Sequence, residues 1–308
     1  MKRFLLLSLI ASSVLLTSCS GSRYDDDSIS LYDYLHNYDI WYVDINATRG
    51  NGSIPFIERA FTLTFANGRL MANNNLVGIG QNNLYGINIG NYSTRDNVLY
   101  ITHVRDGQYR FEVEQVGANV INLYDIDSNL VYRLVGYSSS TFNYDMLFFD
   151  NIRYFLQEYE AWENSWTSQE GTVNPFDDEN YLRFVSEQGV SEFDSSKDAV
   201  GIPLDKIIWD HTGQYTISNV TGSNEVKLLT LDYGGNDLER FELRHINDDL
   251  IELYHIGSGT TYEYTGLNNI IFLKKAKDPL ETRLRYKDPL PTVDYTPANR
   301  PAKSKGRQ

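Results

Sequence analysis

The stretch RFEVEQVGANVINLYDI, Arg110 to Ile126, comes back as RFELRHINDDLIELYHI at Arg240 to Ile256. At a constant spacing of 130 residues, ten of the 28 positions from Arg110 to Tyr137 are identical in the second stretch. They are Arg110/Arg240, Phe111/Phe241, Glu112/Glu242, Ile121/Ile251, Leu123/Leu253, Tyr124/Tyr254, Ile126/Ile256, Ser128/Ser258, Tyr132/Tyr262 and Gly136/Gly266. Upstream, NVLYIT (Asn97–Thr102) matches EVKLLT (Glu225–Thr230) at a spacing of 128, which puts two extra residues into the second copy's intervening turn. Most shared residues are the apolar and aromatic ones that a strand pair packs with. The repeat therefore reads as an internal duplication of a structural unit.

Around the first copy the chain has the texture of strands. FTLTF (Phe61–Phe65), VLYITHV (Val98–Val104), YRFEVEQV (Tyr109–Val116) and VINLYDI (Val120–Ile126) alternate in character and are separated by ANG, RDG, GAN and DSN turns. Short strands so spaced predict an antiparallel meander folded as a barrel or sandwich. Strand texture returns from Lys206 to about Lys275. Between the two, Phe149, Ile152, Leu156, Tyr159, Trp162 and Trp166 recur at steps of three and four, which predicts a helix. Asp145 is its expected N-cap and Gly171 its stop, and a second helix is expected from Asp177 to Gly189. The fold class is therefore mainly β with a helical insert: two related antiparallel β-meander modules joined by two helices. The expected boundaries are a signal peptide at 1–18, a lipidated cysteine and tether at 19–37, a first β module at 38–141 and a helical segment at 142–198. A second β module at 199–277 and a basic, proline-rich tail at 278–308, expected to be disordered, complete the chain.

The N-terminus bears on location. Lys2 and Arg3 precede a 13-residue apolar run, Phe4 to Leu16, too short for a spanning helix, which needs roughly 20 apolar residues. LTSC, Leu16 to Cys19, resembles the lipobox of bacterial lipoproteins, and Cys19 is the chain's one cysteine. That resemblance implies acylation of Cys19, cleavage just before it, and a membrane partner reached through the acyl chains. SGSRYDDDS, with Asp25, Asp26 and Asp27, is similar to the acidic signal for surface display in some outer-membrane lipoproteins, although its acids begin six residues after Cys19. The expected location is the bacterial outer membrane, facing the periplasm or the cell surface. WYVDI (Trp41–Ile45), an early Trp on a first strand followed by a meander, resembles lipocalin-like domains of envelope proteins.

Charge argues against nucleic acid as a partner. Without the tail and the two signal cations the body has 18 basic and 37 acidic residues, and it repels phosphate. The five histidines, His36, His103, His211, His245 and His255, lack metal-ligand spacing. DIDSN (Asp125–Asn129) begins like a calcium loop, but Leu130 stands where the loop needs Gly. GIGQNN (Gly78–Asn83) lacks the third glycine of a dinucleotide site, and no Walker A, GxSxG or SxxK motif occurs. No cofactor and no metal are implied. Glu158, Glu160 and Glu163 with Asp177, Asp178 and Glu179 are the densest acids near aromatics, and Tyr159, Trp162 and Trp166 offer surfaces for sugar stacking. The expected role is a non-enzymatic ligand-, glycan- or partner-binding accessory protein. An envelope glycan hydrolase and a purely structural assembly factor, docking through its tail, are the alternatives. Positions where the copies differ, Gln115/His245 and Asp125/His255, are where a site confined to one module is sought.

Overall fold

The computed structural model describes residues 29–79, 85–187, 190–270, 285 and 287–300. Cys19 and the acidic tether lie outside the described residues. The first module is a closed barrel of eight antiparallel strands: β1 (Ile40–Arg49), β2 (Thr62–Ala66), β3 (Arg69–Asn73), β4 (Ile87–Arg95), β5 (Val98–His103), β6 (Gly107–Gly117), β7 (Val120–Asp125) and β8 (Val131–Tyr137). Helix α1 (Leu31–His36) precedes it and α2 (Pro55–Arg59) lies between β1 and β2.

After α3 (Tyr144–Asp150) and α4 (Ile152–Phe155), the second module repeats this plan. Its strands are β9 (Tyr159–Thr167), β10 (Tyr181–Glu187), β11 (Val190–Ser196), β12 (His211–Val220), β13 (Lys227–Gly234), β14 (Asp237–Asn247), β15 (Leu250–His255) and β16 (Thr261–Asn269). Pairing of β9 with β16 and of β11 with β12 closes the ring. Both modules are thus eight-stranded barrels.

The two helices expected across the middle are corrected to short pieces followed by strands. Phe149 and Ile152 lie on α3 and α4, but Tyr159, Trp162 and Trp166 are on β9. The helical spacing has a physical source. β9 is buried on both faces at Ala161 and Trp162, as β1 is at Ile40 and Trp41, so the alternation of a half-buried strand is lost. Asn143, in place of Asp145, caps α3 by accepting from Met146 N. The second expected helix is a 3₁₀ turn, Pro175–Asp178, followed by β10; Asn174 and Asp177 form its capping box.

Four features of each barrel's entry segment match one for one, and two of them tie it to the barrel's own late strands. The Trp41 indole N–H donates to Leu35 O at 3.0 Å, and that of Trp162 to Leu156 O at 2.8 Å. Trp41 pairs with Leu63 across β1 and β2, and Trp162 with Leu182 across β9 and β10. The Tyr38 hydroxyl donates to Ala118 O at 2.7 Å and that of Tyr159 to Asp248 O at 2.6 Å, two turn residues 130 apart. Each tyrosine ring rests on bare glycine: a Cβ on Gly136 would meet the Tyr38 ring at 2.5 Å, and one on Gly266 the Tyr159 ring at 2.5 Å.

Strand register also relocates the insertion in the duplication. Leu99 opposes Phe111, and Leu229 opposes Phe241, so the 130-residue spacing runs unbroken through β5 and β6 and their partners β13 and β14. Tyr92 opposes Ile101, and Tyr215 opposes Leu231, a spacing of 123 on one strand and 130 on the next. The second barrel's extra residues are seven, and they lengthen the hairpin between β12 and β13.

The barrels meet through an apolar layer that includes Ile40, Phe61, Leu76, Phe148, Phe155 and Leu243. Buried Glu158 clamps the contact by accepting from the backbone N–H groups of Leu76 (2.8 Å) and Val77 (3.0 Å) of the first barrel. The described part of the tail, expected to be disordered, lies against both barrels. Arg285 is buried where β1 leaves the α2–β2 link; it donates to Val43 O, Ala60 O and Asn151 Oδ1, with Phe61 under its guanidinium at 4.3 Å. Lys287 pairs with Glu58 at 2.6 Å. β17 (Thr292–Val293) then adds in parallel to β12, and Arg300 reaches Glu242 on β14 and Glu252 on β15. Arg285, Lys287 and Arg300 are held in place because each finds a buried acceptor.

Gly136→Ala and Gly266→Ala should each destabilise the protein by about 1–3 kcal/mol, because a methyl group displaces the tyrosine ring beneath it. Urea unfolding should show losses of similar size for the two variants. Loss in one alone would contradict the equivalence of the two locks.

Candidate functional site

Both barrel interiors are filled by their own side chains. In the first, Trp41, Leu63, Leu99, Phe111, Leu123 and Tyr132 are fully buried. Phe56 and Ile57 of α2 plug one end, and there Glu58 accepts from the Tyr132 hydroxyl at 2.6 Å. Burial alone would raise the Glu58 carboxyl, yet bonds from Lys287, Tyr132 and Ser53 hold it below the ordinary range. In the second barrel Phe176 of the 3₁₀ turn fills the equivalent place, 4.6 Å from the Phe241 ring and 5.0 Å from that of Tyr262, whose hydroxyl donates to Asp177. The Pro-Phe that begins each plug, Pro55-Phe56 and Pro175-Phe176, repeats as the strands do.

Five of the six acids singled out in the sequence are held in separate structural bonds. Glu158 clamps the barrel contact. Glu160 meets Asn268, whose side-chain N–H donates to it at 3.3 Å. Glu163 accepts from the Tyr181 hydroxyl (2.7 Å) and Gly201 N (2.6 Å). Asp177 completes the capping box, and Asp178 ends the same turn. Glu179 is buried and accepts from Tyr233 at 2.7 Å; burial pushes its carboxyl up against that bond. Tyr159 and Trp162 are packed inside, while Trp166 is exposed. The stacking surface and the carboxylates are not brought together.

The histidines are structural too. His36 bonds to Tyr92 at 3.0 Å, and His103 stacks on Phe56 at 5.1 Å beside Asp106, with burial lowering its pKa. His211 lies edge-on to Tyr233. His245 stacks on Phe148 at 4.3 Å in the contact between barrels. His255 stands between Glu239 (Nε2, 2.5 Å) and Ser258 (Nδ1, 2.7 Å), an order that looks like a Ser–His–Glu relay. Ser258, however, also accepts from Thr260 N within the same turn. In the first barrel, Ser128 closes the equivalent turn onto Asp125. The trio is a turn latch in which His255 replaces an aspartate. Among the described residues no three His, Cys, Asp or Glu side chains group as metal ligands.

What sequence reasoning missed is the seat of the tail on the second barrel. Glu242, fully buried, and Glu252, nearly so, lie on the outer face of β14 and β15. Arg300 donates one Nη to each at 2.9 Å and lies over the Tyr254 ring at 4.1 Å. The Tyr295 hydroxyl and Ala298 N also donate to Glu242. At the other end, Asn219 N donates to Pro291 O (2.7 Å) and Thr221 N to Val293 O (3.0 Å), both on or next to the lengthened hairpin. Lys227 is buried beneath this end, its Nζ donating to Asn219 Oδ1 and lying 3.4 Å from the Phe149 ring centre. Nearby, Asn46 of β1, Asp150, Arg153 and Tyr154 of the α3–α4 segment, and Arg285 and Asp288 of the tail line a small open cleft. The signal available was the spacing itself: the hairpin insertion and the Asn122/Glu252 difference fall on one face.

Compared with family models, curated proteins and solved structures, the chain finds no match.

Burial lowers the Lys227 amine from 10.5 to about 8, with Asp150 opposing the shift. The folded chain therefore releases this proton near pH 8 and the unfolded chain only near 10.5, so stability should rise between pH 8 and 10. A gain of about 1–2 kcal/mol in urea unfolding is expected, and Lys227→Met should abolish it. The buried tyrosines act with the opposite sign, but only above about pH 10. A flat wild-type profile would show that the amine is not desolvated.

Proposed function

We propose that this chain is a lipid-anchored cell-envelope protein, held at the bacterial outer membrane by acyl chains on Cys19, that works without catalysis. It engages an envelope protein or glycan through its outer surfaces. One observation carries the reading of engagement through the outer surfaces: both barrels are packed with aromatic and aliphatic side chains and plugged at one end. A carrier of small apolar ligands needs an open interior lined by such groups. The hydrolase alternative draws no support from the acids, since Glu158, Glu160, Glu163, Asp177 and Glu179 each serve a different structural bond. The assembly-factor alternative relied on a free tail, and residues 287–300 are seated on the body.

The anchoring half of the proposal rests on LTSC and the apolar run before it. Native protein from a bacterial membrane fraction should carry acyl mass on Cys19, and Cys19→Ser should move the chain to the soluble fraction. An unmodified mature N-terminus elsewhere would remove this half. For the other half, titration with a fluorescent fatty acid should show no saturable uptake below about 10 μM. One-to-one uptake, quenched by the buried Trp41 or Trp162, would return the protein to the ligand carriers.

A further inference from the structure

The face of the second barrel that seats Arg300 differs from its counterpart on the first in ways that suit an extended chain. Glu112, the counterpart of Glu242, is exposed. Asn122 stands where the second barrel has Glu252, and with Tyr124 it donates to Glu114. That face satisfies itself. On the second barrel Glu242 and Glu252, on neighbouring strands, are buried beneath the strap; Arg244 lies 4.0 Å from Glu252, and Arg300 bridges the two acids. Such a pair is costly unless a cation with matching donors lies between them. A guanidinium does so better than an ammonium, since its planar fork reaches both acids while its face stacks on Tyr254. The seven-residue hairpin extension supplies a second feature, a strand edge at Asn219–Thr221 that β11 does not cover, because β11 pairs only with His211–Gln214. Main-chain bonds to such an edge accept many sequences.

The present occupant's strand pairing is short. Pairing extends over Thr292 and Val293 alone, and prolines at 289, 291 and 297 limit it. Residues 291, 292, 294, 296 and 299 are exposed. A segment with few buried apolar groups opens locally at far lower cost than the barrel beneath it.

We infer that this face is a docking groove for an extended, arginine-bearing peptide segment of a partner protein, and that residues 290–300 fill it when that partner is absent. The inference rests on the proposed function and narrows it, since it makes the partner a protein. The strap, being tethered, competes at a high effective concentration, so a partner has to outbind it or meet it already released.

The probe is a fluorescein-labelled peptide of residues 290–302, titrated by anisotropy into the full-length chain. Arg300→Ala, which unlatches the strap, should bind it at least tenfold more tightly than wild type. Replacing the peptide's arginine by alanine should abolish binding, as should adding Glu242→Gln and Glu252→Gln to the unlatched chain. Equal binding by wild type and Arg300→Ala, or equal binding of the alanine peptide, would overturn the proposal. So would a tail-exchanged dimer of the wild-type chain, seen as a doubled mass in solution, which would give the seat to a second copy. Should Arg300→Ala not fold, hydrogen exchange on the wild type decides. The Asn219 and Thr221 amides should exchange at least 100-fold faster than those of Leu229 and Phe241, and equal rates would show that the strap does not open by itself. Acylation of Cys19 and fatty-acid uptake are indifferent to the strap, so a failure here leaves the earlier reading standing, and the reverse holds.

Discussion

A tyrosine ring lying on a glycine's bare backbone fastens the start of each barrel to its end. Tyr38 covers Gly136, Tyr159 covers Gly266, and each hydroxyl reaches a carbonyl in the turn between the sixth and seventh strands of its barrel. A sheet rolled into a barrel has no edge once its first and last strands pair. The lock places the entry segment so that this pairing starts in register, and the tryptophan three residues on is then delivered to the interior. Its indole N–H is satisfied by the carbonyl six residues back. Everything else described, the plugs, the contact between barrels and the strap, is built on two rings closed in this way.

The half of each barrel nearest the C-terminal side was legible because it is buried on one face only. Phe111, Val113, Ile121 and Leu123 alternate with polar residues, and so do their counterparts, so period two and the 130-residue spacing were plain. The entry strands were not legible as strands. Ile40 and Ala161 are buried on one face while Trp41 and Trp162 are buried on the other, and two-sided burial erases alternation. The sequence nonetheless held a sign of them. Leu35, Tyr38 and Trp41 recur as Leu156, Tyr159 and Trp162 at a spacing of 121, which joins the supposed helix to the WYVDI strand. Read that way, the second copy gains its missing strands.

The polar groups were harder to place. A carboxylate's role depends on what lies opposite in space, and Glu58, Glu158 and Glu242 look alike in the sequence although one closes a plug, one clamps two barrels and one holds an arginine. Arg285 and Arg300 sit in a basic, proline-rich run that by composition has nothing to bury. They are ordered because the acceptors that receive them were left over by the barrels: the Val43 and Ala60 carbonyls, and the Glu242 and Glu252 carboxylates. The differences between copies did point to His245 and His255, and both proved to be packing and turn residues.

The position of Arg285 sets an order of events during synthesis. Its socket belongs to the first barrel, whose last strand ends at Tyr137, yet the arginine that fills it is translated almost 150 residues later. A nascent first barrel emerges with the carbonyls of Val43 and Ala60 lacking this donor and waits through the making of the whole second barrel for it. The oldest part of the chain is finished by one of the youngest. Clipping the chain just before Arg285 would therefore be felt in the N-terminal barrel, at the opposite end of the covalent chain.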